Sequence, residues 1–171
     1  MHSRILLPVV AAGAVALATA NAEVTYDSAF RSVTVWAGSP AEPDVMDTIS
    51  SAAFGLFDES LSASTSEGVT GTAAQTSYIL PRSFSGSGHA TGETGAPVGS
   101  GYGDGDSYFE VSFTIDIETP FMLAGDIDGF GVYSFTGPSI NIEDMSFGPK
   151  SATFGEIGTL DAGAYTFIIS A

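Results

Sequence analysis

The chain has 171 residues, 44% of them hydrophobic and 14% charged, with 21 glycines and no cysteine. That is enough apolar material for one packed domain, and too little charge for a disordered tail or a coiled coil. Twenty acidic residues against 4 basic ones, net charge −16, exclude nucleic acid as a partner and disfavour an anionic membrane surface, because both are bound by clustered basic side chains.

The N-terminus comes first in chain order. Met1 to Arg4 makes a short positive start, Ile5 to Ala18 an uncharged run, and Ala20-Asn21-Ala22 a small-x-small pattern before Glu23. Residues 1–22 are therefore expected to be a removable signal peptide, and residues 23–171 one domain that is secreted and acts outside the cell. The apolar run is shorter than the roughly 20 residues that span a bilayer, and Pro8 and Gly13 weaken it further. No second stretch of spanning length follows, so no membrane span is expected in the mature chain. Beyond residue 22 only Arg31, Arg82 and Lys150 oppose the acids, which leaves a surface kept soluble by its own repulsion.

Arg31 to Ala37, with Val33 and Val35 beside Trp36, reads as a strand, and Phe57 to Thr65 as another. Between them Val45, Ile49 and Ala52 follow Asp44 at a spacing that predicts one or two helical turns. Ala73 to Ser85 reads as a strand with Pro81 as a bulge or edge marker. Residues 86–105 hold eight of the glycines among Ser and Thr, and are expected to be a long Gly/Ser-rich loop.

The clearest segment runs from Asp106 to Glu118. Phe109, Val111, Phe113, Ile115 and Ile117 alternate there with Glu110, Ser112, Thr114, Asp116 and Glu118. A helix would scatter those apolar residues around its circumference, whereas a strand collects them on one face. Phe121, Leu123 and Ile127 resume the alternation toward Asp128-Gly129 and predict a hairpin partner. Further strands are expected at Gly131 to Thr136, at Ser139 to Ile142, around Met145 to Phe154 with a break at Gly148-Pro149, and at Ala164 to Ala171, where Tyr165, Phe167 and Ile169 share a face. Strand count and spacing predict an all-β, two-sheet antiparallel sandwich of about eight strands, jelly-roll or immunoglobulin-like.

The order of the pieces carries a likeness. A signal peptide, Ala73-Ala74-Gln75-Thr76-Ser77 and a Gly/Ser stretch are followed by Ser107-Tyr108-Phe109-Glu110-Val111-Ser112-Phe113, Phe121-Met122-Leu123-Ala124-Gly125, Phe135-Thr136-Gly137-Pro138 and Leu160-Asp161-Ala162-Gly163-Ala164-Tyr165-Thr166. Over most of residues 60–171 this resembles the secreted domain of bacterial exosortase-sorted, or PEP-CTERM, proteins. The Pro-Glu-Pro signal, apolar helix and basic end of that family's sorting tail do not occur before Ala171. The resemblance implies an extracellular β-sandwich linked to exopolysaccharide or biofilm matrix, and it transfers no catalytic residue.

Paired carboxylates on glycine-containing turns, Asp104-Gly105-Asp106 and Asp126-Ile127-Asp128-Gly129, are calcium-ligand candidates, since calcium takes several oxygen ligands; they are equally ordinary hairpin-turn residues. The alternation places both pairs near strand ends. Beyond the signal the one histidine is His89, in the Gly/Ser stretch, with no Gly-x-Ser-x-Gly elbow and no second base, so a serine triad or a zinc site is poorly equipped. Two carboxylates could in principle cleave a glycoside. No catalytic, cofactor-binding or metal residue is assigned, no cofactor is expected, and the protein is read as no enzyme. Carbohydrate binding is better provided for, because a sandwich can offer rings to the apolar faces of sugars and acids to their hydroxyls. Trp36, Tyr102, Tyr108 and Tyr133 are the candidate rings; the alternative puts Trp36 in the core beside Val33 and Val35, and Tyr108 and Tyr133 as cross-strand neighbours. The expected function is that of a secreted, acidic structural or matrix-interacting protein, with extracellular polysaccharide as partner; the alternative is a carbohydrate-binding module associated with exopolysaccharide.

Overall fold

A computed structural model describes residues 9–17, 22–94, 101–146 and 151–171. It contains β1 (Val9–Leu17), β2 (Val24–Ser39), β3 (Glu42–Ser51), β4 (Gly55–Ser64), β5 (Thr70–Leu80), β6 (Ser83–Glu93), β7 (Tyr102–Ile115), β8 (Thr119–Asp128), β9 (Gly131–Gly137), β10 (Ile140–Ser146), β11 (Ser151–Leu160) and β12 (Gly163–Ser170). These form two six-stranded sheets, the first ordered β11-β8-β1-β6-β5-β4 and the second β10-β9-β12-β7-β2-β3, with antiparallel pairing throughout. The expected all-β sandwich is therefore present, with twelve strands among the described residues rather than about eight.

The alternation of β7 does what period two demands: Phe109, Val111, Phe113 and Ile115 are buried between the sheets. The same inner row on β12 is Tyr165, Phe167 and Ile169, and on β8 it is Phe121, Leu123 and Ile127. Phe113 stacks on Tyr165 with centroids 5.7 Å apart, and Phe84 of β6 meets Phe167 at 5.2 Å across the sandwich. Each such ring contributes about 2–3 kcal/mol by leaving water. Pairing continues past β12: Ser107 and Ala171 exchange backbone hydrogen bonds of 2.8 and 3.0 Å.

Several local expectations fail, each for a physical reason. The helical turns after Asp44 are the edge strand β3, where Thr48 and Ile49 are β-branched and Pro43 lacks only an N–H that an edge can spare. Pro81 marks neither a bulge nor an edge; with Arg82 it turns β5 into β6. β8 is not the hairpin partner of β7. After Ile115 the chain crosses to the other sheet, so β7 pairs with β2 and β12 while β8 pairs with β1 and β11.

The expected Gly/Ser-rich loop at 86–105 is mostly strand: β6 continues to Glu93 and β7 begins at Tyr102, while residues 95–100 lie outside the described set. Its glycines are there for closeness. A Cβ on Gly92 would overlap the Gly103 carbonyl, and one on Gly103 or Gly105 would overlap the carbonyl of Thr70 or Thr72. At this end the sheets approach backbone to backbone, which only residues without side chains allow.

The core falls into two apolar clusters. One gathers the rings of β6 to β9, β11 and β12; the other is built from Val33, Val35, Ala37, Phe57, Ala63, Val69, Ala73 and Ala90. Along the inner row of β2, Arg31 stands between Ala29 of the first cluster and Val33 of the second. Along β5, Gln75 and Ser77 stand between Ala73 and Ile79. A buried polar seam thus divides the interior. Arg31 is wholly buried; its guanidinium donates to the Gly55 carbonyl (2.8 Å) and to that of Ala53, and lies 5.3 Å from the centre of the Phe57 ring.

Candidate functional site

The outer face of the second sheet gathers what the sequence scattered. With Ser107 and Phe109 turned inward, β7 presents Tyr102, Asp104, Asp106, Tyr108 and Glu110 outward in succession. On β2, Phe30 and Trp36 point the same way, because Val33, Val35 and Ala37 fill the inner row. Trp36 is therefore no core residue. It sits half-buried in a cross-strand row with Met46 of β3 on one side and Asp104 of β7 on the other.

Next to Trp36 along β2 is Gly38, paired with Tyr102. A Cβ on Gly38 would stand 2.9 Å from the Tyr102 ring, so the missing side chain lets that ring lie across β2. Its hydroxyl donates to Asp44 Oδ2 at 2.7 Å, and this bond raises the Tyr102 pKa. At the far end Phe30 and Tyr108 pack with centroids 5.9 Å apart, and Tyr108 donates to Glu110 Oε2 at 2.6 Å. Burial first, then that bond, pushes the Tyr108 phenol up, so it remains a proton donor at every working pH. Tyr102 and Tyr108 are six residues apart on one strand, about 20 Å at strand rise. Two ring clusters, with Asp104 and Asp106 between them, thus lie along one open face of the sheet.

Burial, followed by the neighbouring Asp104 charge, raises the Asp106 pKa. The folded chain then holds a proton that the unfolded chain has released, so stability falls as pH climbs from the ordinary Asp value of 3.8 toward the raised one. Asp106→Asn is expected to raise the melting temperature at neutral pH and to make no difference below about 3.8, where both states are protonated. Thermal melts at the two pH values check this, and equal shifts at both would show that charge is not the cause.

The other sequence candidates go elsewhere. Tyr133 points inward, is buried and stacks on Phe154 with centroids 4.0 Å apart, so it leaves the set of surface rings. Asp126 and Asp128 lie on the outward row of β8 in the first sheet, on the opposite side of the sandwich from Asp104 and Asp106. The two pairs do not form one calcium site, and among the described residues no cluster of three or more His, Asp or Glu could hold a metal ion. His89 is exposed on β6, outward on that same first sheet. Among the described residues no helix is long and apolar enough to cross a membrane. Phe30, Asp44 and Met46 were missed by sequence reasoning. The outward series on β7 is legible as alternation in Tyr102 to Glu110, but the side of β2 on which Trp36 falls is decided only once the inner row is known. No family model matches this chain, and no curated protein or solved structure is significantly similar to it.

Proposed function

We propose that this is a secreted, non-catalytic matrix protein that binds uncharged polysaccharide through the outer face of its second sheet. The observation that carries the reading is the row Tyr102-Asp104-Asp106-Tyr108-Glu110 on β7, flanked by Trp36 and Phe30 on β2. Rings cover the apolar faces of sugars, and carboxylates accept from their hydroxyls. The excess of acid selects against anionic glycans, which the face would repel. Asp104 and Asp106 stand side by side on one strand of an open sheet face, instead of facing each other across a scissile bond, which favours binding without turnover. The likeness to exosortase-sorted domains supports an extracellular setting near exopolysaccharide, and the N-terminal pattern supports export.

Trp36 is the single tryptophan, so its fluorescence reports on this face alone. Titration with soluble neutral oligosaccharides is expected to shift that emission, and Trp36→Ala to weaken retention on the matching insoluble glycan by roughly tenfold, the worth of one ring contact. Emission that stays fixed, with the protein left in the supernatant across chemically distinct glycans, would leave only a passive structural role.

A further inference from the structure

β1 is the strand drawn from the apolar run expected to leave with the signal peptide, yet it lies in the middle of the first sheet. Residues 9–16 pair with 83–90 of β6, and residues 10–17 pair with 121–128 of β8. Val15 is buried at the position facing Phe84 on one side and Leu123 on the other. Gly13 forms a cross-sheet row with Gly86 and Gly125. Above that row come residues from two other strands: a Cβ on Gly13 would stand 3.3 Å from Phe167 Cζ and 3.4 Å from Phe154 Cζ. The slot thus has its own requirements: an extended backbone, a residue no larger than glycine or alanine at its centre, and a branched apolar residue two positions on.

The junction that follows the strand is also built in. Ala22 is buried and its carbonyl accepts a bond of 3.0 Å from Arg82, while the Glu23 amide donates to Asp116 Oδ1 at 2.8 Å. A peptidase cannot reach the Ala22–Glu23 bond in this folded state. Removal of residues 1–22 must come before folding, and the remaining chain then folds with the slot vacant. Closing it directly is unfavourable. β6 and β8 are both antiparallel to β1 and hence parallel to each other, so they would have to form a slanted parallel ladder after moving about 5 Å together, off the rings of β12. Left open, both edges keep unpaired N–H and C=O groups beside uncovered Phe84, Leu123 and Phe167.

We propose that the slot between β6 and β8 is a strand-acceptor site, filled in the exported protein by an extended segment of another polypeptide, antiparallel to both edges, with glycine or alanine at the Gly13 position and a β-branched residue at the Val15 position. Main-chain pairing on two edges supplies the affinity and the small central residue the selectivity. The inference rests on signal removal and is separate from glycan binding, which uses the other sheet.

The test uses the full chain with a protease site inserted between Leu17 and Ala22, folded and then cut. A labelled synthetic peptide of residues 9–17, flanked by lysines for solubility, is expected to displace the cut segment at one per chain and to preserve the melting temperature of the uncut protein. The same peptide carrying Gly13→Phe is expected to compete at least a hundredfold less well. If loss of the segment unfolds the chain, the peptide must restore the melt. The proposal is overturned if the cut protein sheds its segment, melts unchanged and ignores the peptide, or if it unfolds and the peptide fails to rescue it. Mass spectrometry of the exported protein decides independently: residues 9–17 still attached would mean that the slot is filled by its own chain.

Discussion

Arg31→Ala is expected to lower the stability of the domain by about 3–5 kcal/mol, a drop in melting temperature of roughly 10 °C or more for a chain of this size. The guanidinium is wholly buried and fixes the turn between β3 and β4 through the carbonyls of Ala53 and Gly55. Truncation takes the donor from both carbonyls and opens a cavity against Phe57. Burial also lowers the Arg31 pKa, which means that the charged form is held at a cost. Arg31→Met separates the two effects. It keeps most of the stem and removes the charge, so it should lose less than half as much as the alanine variant. Urea denaturation of both variants checks the pair; equal losses would place the whole effect in the lost carbonyl bonds and none in the packing of the stem.

Gly92→Val is expected to be worse, costing more than about 3 kcal/mol and failing to fold at 37 °C, because the new Cβ would overlap the Gly103 carbonyl and neither strand can retreat. The obstacle is main chain, not the end of a flexible side chain. Gly155→Ala on the edge strand β11 is the control: its Cβ would meet only the Leu123 carbonyl, at 3.7 Å, and no loss of stability is expected. Soluble yield and urea midpoints read both. A well-folded Gly92→Val protein would mean that the sheets are not in backbone contact at this end.

What could be read in advance divides along a physical line. β7, β8 and β12 were legible because one face is greasy and the other wet, and period two leaves no other element that could hide those rings. β6 was not, because its inner row is Phe84, Gly86, Gly88, Ala90 and Gly92, and glycine chosen for steric closeness looks the same as glycine chosen for slack. β3 misled through its apolar spacing, since an exposed edge strand buries too little for alternation to be selected. β1 offered no strand pattern within the apolar run read as a leader, as small apolar residues suit a leader and an inner strand alike. At the site, Tyr102, Tyr108 and Trp36 were named and share a face, whereas Tyr133 has the same flanking chemistry but faces Phe154. Partner strands decided that, and a single sequence does not contain them. Arg31 offered no signal at all, because a buried cation bonded to carbonyls needs no acidic residue nearby in the chain.

β12, which follows the other eleven described strands in the sequence, is a middle plank of its sheet, with β7 on one side and β9 on the other. Until those eight residues have emerged, β7 and β9 each lack one of their two partners, and Phe113 and Phe135 lack the Tyr165 ring that packs on both. The second sheet therefore cannot be completed progressively from its front end as the polypeptide is made or threaded through a pore. It must wait, loose and vulnerable to proteases, and then consolidate in one late event, which makes everything upstream depend on how long that delay lasts.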